Sequence, residues 1–242
     1  MSLFNNAKKS SKAEVQQDRV AGGFKRLETG IYKAIIKAAI FTESTKGAYG
    51  LILHLEIDGQ GYRETLWLTN QNKENFYTKK DGTQNIMTGY TLASNFAYIA
   101  TEGEVDDVFD LENEEKIVKM YDKDAKKELP KEVECFIQLH DVEVLVAIQK
   151  QVKFKRTQQG NTWVDTSETQ EENEIINVMH VETKMTAHEI QTEQEEALYH
   201  DEWLATNAGR TYDKTKGKAA ANKGKEGKPA TKKSGFLKGQ QQ

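Results

Sequence analysis

Residues 27–69 read LETGIYKAIIKAAIFTESTKGAYGLILHLEIDGQGYRETLWLT, and their spacing decides the fold class. From Gly30 to Phe41 apolar residues occupy both faces, with Lys33 and Lys37 interrupting one of them. That pattern predicts a long, largely buried strand with two cationic positions on one side. From Ala48 to Ile57 the alternation is clean: Tyr49, Leu51, Leu53, Leu55 and Ile57 share one phase, and Gly50, Ile52, His54 and Glu56 the other. This is the signature of a half-buried strand. Asp58-Gly59-Gln60-Gly61 supplies turn chemistry, so a hairpin follows into a third strand over Tyr62–Thr69. There Arg63, Thr65, Trp67 and Thr69 share the polar phase, and Leu66 and Leu68 the other.

Working outward, residues 70–87 read as a polar loop carrying Phe76, Tyr77, Lys79 and Lys80. A helix fits Tyr90–Glu102, with Leu92, Phe96 and Ile99 on one stripe and Gly103 as its stop. Residues 104–132 are acidic and turn-rich. Strands resume over Val133–Leu139 and Val142–Arg156. In the second, Val142, Val144, Val146, Ile148, Val152 and Phe154 share a phase, and Gln149, Gln151, Lys153 and Lys155 face the other way. A turn at Gln158–Asn161 leads to a short return arm, Thr162–Asp165, and Glu174–Val181 reads as a last short strand. Thr186 followed by Glu189 is a capping box, opening a helix expected to run to about Asn207. Three strands, a helix and further strands predict a mainly β chain. The expected architecture is an OB-fold-like five-stranded Greek-key barrel with an inserted helix, a C-terminal helix and disordered ends. A larger open sandwich is the alternative. The expected division is a flexible arm over 1–23, the barrel domain over 24–208 and a disordered basic tail over 209–242.

Composition limits the setting. The 242 residues are 37% hydrophobic and 30% charged, against ~45–50% and ~25% for an average domain. Part of the chain therefore builds no core. A lone Cys135 forms no internal disulfide, which suits a reducing cytoplasm. No apolar run approaches the length of a membrane span or a secretory signal. Charge is uneven: residues 205–242 carry a net +8, residues 1–37 a net +5, and the body between them −17. Basic ends of this kind serve solubility or contact with nucleic acid.

Catalytic motifs are missing. The sequence has no phosphate-binding glycine loop and no GxGxxG. His188-Glu189 lacks a second histidine, since position 192 is Thr. Asp122-x-Asp124 resembles the start of a calcium loop, but the sixth position is Lys127 and the twelfth Val133. Paired carboxylates such as Asp106-Asp107 and Glu171-Glu172 fit a solvated acidic surface. No enzyme, cofactor or metal is expected.

A binding surface is better supported. Sequence-tolerant capture of single strands needs cations along the phosphates and aromatic faces for the bases, the latter worth roughly 1–3 kcal/mol per base. Three places combine them. Trp67 lies in the polar phase with Arg63, so it either packs under a covering element or stacks a base. Phe76 and Tyr77 with Lys79 and Lys80 either pin their loop or form a platform. The hairpin around Lys150, Lys153, Lys155, Arg156 and Trp163 is either solvated or a DNA clamp. Lys33 and Lys37 would extend the cationic track.

These residues have a familial pattern. Leu27–Thr69, with its Gly-x-Tyr strand, Lys46-Gly47-Ala48 step and Leu/Thr-rich edge, is similar to phage-encoded single-stranded DNA-binding proteins of replication and recombination. The stretch Asn173–Val178, followed by Thr186 and Glu189, resembles their C-terminal part, so the likeness covers about residues 20–210. It implies an OB fold, cooperative cover of single-stranded DNA in an infected bacterial host, and polymerase, helicase or recombinase partners, with self-association open. One departure stands out. Such proteins often end in an acidic tail, whereas this chain ends in KKSGFLKGQQQ. A protein-binding scaffold is the second reading, and a metal-dependent nuclease the third.

Overall fold

The computed structural model describes residues 26–122, 125–160 and 162–216. The expected arm over 1–23 and the end of the tail, with Phe236 and Leu237, lie outside the described residues. The chain is mainly β, as expected. Strands β1 (Gly30–Glu43), β2 (Tyr49–Ile57) and β3 (Gln60–Trp67) form antiparallel pairs. Asp58 and Gly59, both at positive φ, make the two-residue turn between β2 and β3. Alternation puts Leu51, Leu53, Leu55 and Ile57 into the main core with Ala34 and Ile36.

Residues 70–87 are more regular than expected, because β4 (Phe76–Thr78) and β5 (Gln84–Ile86) form a small hairpin. Helix α1 (Thr88–Ala100) follows and buries Leu92, Phe96 and Ile99. It begins hard against β3: a Cβ on Gly89 would stand 2.4 Å from the Trp67 carbonyl oxygen.

The acidic stretch expected to be turns is instead a hairpin of β6 (Asn113–Asp122) and β7 (Lys127–Phe136). Its apolar half is small. Val118, Met120, Val133 and the buried Cys135 pack on Ala38, Ile40 and Ile52, on the side of β1 and β2 away from the main core. Four apolar side chains spread through a run of charges give little periodic signal.

Strand β8 (Glu143–Gln159) returns beside β1 and pairs with β9 (Thr162–Met179). The two short segments expected at Thr162–Asp165 and Glu174–Val181 are thus one 18-residue strand, interrupted only by register shifts. Ladder hydrogen bonds to β8 carry the acidic middle, which has little apolar content of its own.

The expected helix to Asn207 is two helices, α2 (Ala187–Gln191) and α3 (Leu198–Asn207). Glu189 explains the break. Its carboxylate closes the capping box with Thr186 and also accepts the Tyr199 N–H at 2.7 Å, so it serves the first turn of both helices. Trp203 of α3 then covers Ala147 and Met179. The ordered body continues past residue 208, because β10 (Thr211–Asp213) runs parallel to β8.

The principal sheet has the order β10-β8-β1-β2-β3, with β9 on β8 and the β6–β7 hairpin on β1. It does not close into a barrel, since β3 and β9 share no backbone pairing among the described residues. No described helix is long and apolar enough to cross a membrane.

Candidate nucleic-acid interface

The seam between β3 and β9 is where charge and aromatic side chains converge. Strand β3 places Tyr62, Glu64 and Leu66 in one phase, and Arg63, Thr65 and Trp67 in the other. Glu64 is the exception, a carboxylate in the leucine phase. It accepts the Tyr62 hydroxyl at 2.6 Å and the backbone N–H of Ile175 on β9 at 2.9 Å. A side chain thus spans a gap that no ladder bond closes.

Two clefts flank this bridge. The first, about 650 Å³, is lined by Arg26, Arg63, Glu64, Lys153, Glu172 and Glu174 among others. The second, about 310 Å³, is lined by Trp67, Tyr77, Met87 and Gly89, and shares Glu64, Thr65 and Glu174 with the first. Arg63 and Lys153 therefore line one cleft, and Trp67 and Tyr77 line the next.

The electrostatics of the seam are mixed. Burial pushes Glu64 up to about 7, helped by the charge of Glu174. The Tyr62 and Ile175 hydrogen bonds and the charge of Lys153 oppose it. Glu174 goes the other way. Burial raises it, but hydrogen bonds and charge from Lys214, with Gln151 and Lys153, outweigh burial and hold it below the usual value. Near neutral pH the trough can therefore lose one negative charge at Glu64 while Glu174 stays ionised.

Trp67 has a structural task as well. Its indole lies on the backbone of Gly50, the residue opposite it on β2, and a Cβ at Gly50 would stand 3.0 Å from Cε3. The ring remains 41% exposed. The expected cover by a loop or the C-terminal helix is at most partial: Met87, Thr88 and Gly89 share its cleft, and the ring otherwise rests on its own sheet.

No protein-family model matches the chain, and no curated protein matches it.

The remaining candidates are distributed as follows. Tyr77 is 49% exposed and Phe76 half-buried in the β4–β5 hairpin, with Lys79 and Lys80 exposed at its turn. Arg63, Lys79 and Lys80 form no ion pair among the described residues. The β8 cations are engaged: Lys150 with Glu28 before β1 and, across the ladder to β9, Lys150 with Glu171, Lys153 with Glu172, Lys155 with Glu168, and Arg156 with Asp165. Trp163, 56% exposed, lies opposite Gln158 near the tip of that hairpin, away from the seam. Lys33 and Lys37 do not extend the track. They lie on the central strand β1, paired with Glu143 at 2.8 Å and Asp141 at 3.0 Å. Sequence reasoning missed Arg26, Glu64 and Glu174. A glutamate in the leucine phase of β3 was the available signal for Glu64. Nothing local marked the others.

Proposed function

We propose that the protein binds single-stranded DNA without sequence preference, along the trough between β3 and β9, as a non-enzymatic protein of phage replication or recombination in the host cytoplasm. The observation that carries this reading is the joining of an Arg63–Lys153 cleft to a Trp67–Tyr77 cleft through shared walls. Cations for phosphates beside rings for bases are the two parts such capture needs. Lys79 and Lys80 extend the cationic side past Tyr77. Exposed ion pairs contribute only ~0–1 kcal/mol, so phosphates compete readily for Lys153, Lys155 and Arg156.

The strand order supports reading the fold as a partly open OB barrel. Strand β8 returns to lie beside the first of three consecutive strands, which is the Greek-key order. The side chain of Glu64 takes the place of a closing rung between β3 and β9.

Titration with oligo-dT at two salt concentrations tests the function. Quenching of tryptophan emission that salt reverses is expected, and Trp67→Phe should remove most of it. Absence of both quenching and a mobility shift at low salt would sink the proposal. A protein-binding scaffold is the second reading, favoured by the three carboxylates Glu64, Glu172 and Glu174 lining the same trough.

A further inference from the structure

Among the described residues strand β6 pairs only with β7, which makes it an edge of the sheet. Such an edge presents unpaired N–H and C=O groups, a template for another strand. Val118 and Met120 of β6 pack toward the body. Ile117 faces away and at 74% exposure is the most exposed large hydrophobic residue among those described. Glu115 lies two residues before it and Lys119 two after. Within the hairpin, Glu115 stands opposite Glu134, Ile117 opposite Glu132, and position 119 opposite Pro130. The hairpin thus sets Glu115 of β6 across from a like charge on β7, and Ile117 across from an acid.

Two copies of this edge can pair about a two-fold axis perpendicular to the sheet. That symmetry keeps each side chain on its own face, so the axis must pass through a residue position. Centring on Glu115, Lys116 or Lys119 sets like charges directly opposite. Centring on Val118 sets Glu114 opposite Asp122. Centring on Ile117 sets Ile117 against Ile117 and, in both halves, Glu115 against position 119. Opposite charges across a ladder contribute ~0.2–1 kcal/mol, and like charges cost stability.

We propose that β6 pairs antiparallel with β6 of a second copy of this chain, in the register centred on Ile117, making one sheet that runs through a two-fold dimer. Position 119 of one copy then stands opposite Glu115 of the other, so the sequence sets opposite charges across the new ladder. The isoleucines bury one another.

Site-directed cross-linking without nucleic acid tests the register. Opposed Cα atoms of an antiparallel pair lie ~4.5–5.5 Å apart, inside the ~4.4–6.8 Å range of a disulfide. Ile117→Cys should form a disulfide-linked dimer under mild oxidation, while native Cys135 is buried. Glu115→Cys should not, because its counterpart in the other copy is displaced by four residues, on the order of 13 Å. Equal cross-linking of the two variants would overturn the register. Sedimentation equilibrium tests the association. Glu115→Lys should weaken it about tenfold, and adding Lys119→Glu should restore it. Glu115→Lys places a lysine opposite Glu134, which favours its own hairpin, so misfolding does not explain a loss. A wild-type chain that stays monomeric at every concentration, or a charge swap that restores nothing, rejects the dimer.

Discussion

The carboxylate of Glu64 on β3 accepts the backbone N–H of Ile175 on β9 at 2.9 Å, joining two strands that share no ladder bonds. The bridge makes the seam depend on the ionisation of a single group. Glu64 keeps its proton to about pH 7 in the native state, whereas an unfolded glutamate loses it near ~4.3. Between these values the native state holds more protons, so stability falls as pH rises through that window. Glu64→Gln keeps an acceptor and removes the charge. It should be more stable than wild type by about 1–3 kcal/mol at pH 8 and equal to it near pH 4.5. Urea midpoints at the two pH values measure this, and parallel pH profiles for the two proteins would disprove it. His140, whose pKa burial lowers, works in the opposite direction. Its neutral ring accepts the Ala39 N–H at 3.2 Å, and that stability is lost as pH falls below ~6.5. The effect is common to both proteins and cancels in their difference.

Gly50 and Trp67 form a second dependence. A methyl group at Gly50 would stand 3.0 Å from Cε3 of the indole and 3.1 Å from Thr42 Cγ2. Because the ring is on the surface it can lift, so Gly50→Ala should cost only about 1 kcal/mol. It should also shift Trp67 emission to the red. An unshifted spectrum, compared against Trp67→Phe, would show that the ring does not rest on this strand.

Gly89 is far less forgiving. A Cβ there would lie 2.4 Å from the carbonyl oxygen and 2.9 Å from the nitrogen of Trp67, both backbone atoms of the neighbouring strand. Gly89→Ala must move the start of α1 off β3 and should destabilise by about 2–3 kcal/mol. Helix propensity alone predicts a gain from the same change. Thermal melting therefore separates close approach from propensity by its sign.

Binding to DNA should depend on position rather than on charge alone. Arg63→Gln and Lys153→Gln should each flatten the salt dependence of oligo-dT affinity by about one phosphate. Lys33→Gln and Lys37→Gln, on β1 beside Glu143 and Asp141, should leave it unchanged. A uniform effect across all four substitutions would indicate general charge rather than a trough at the seam.

Local pattern carried a good deal of this protein. Alternation over Tyr49–Ile57 and Tyr62–Leu68 fixed two strands and their buried faces, because a strand's side chains reverse direction at every residue. Asp58-Gly59 fixed the hairpin, since few other pairs tolerate positive φ at both positions. Thr186 and Glu189 fixed a helix start, although not that the same glutamate would begin a second helix. The polar phase of Arg63 and Trp67 marked both as outward-facing. Tertiary structure decided the rest. Glu64 and Ile175 are separated by 111 residues, and no local period records which strand another will face across so long a loop. The cations of β8 read as a free track until β9 set a carboxylate beside each of them. The β6–β7 hairpin was invisible for the same reason. Its strands are held by one another's backbone, by the pairing of β7 with β1 and by four apolar side chains on a distant face, and hydrogen bonds between backbones leave no mark on the order of side chains.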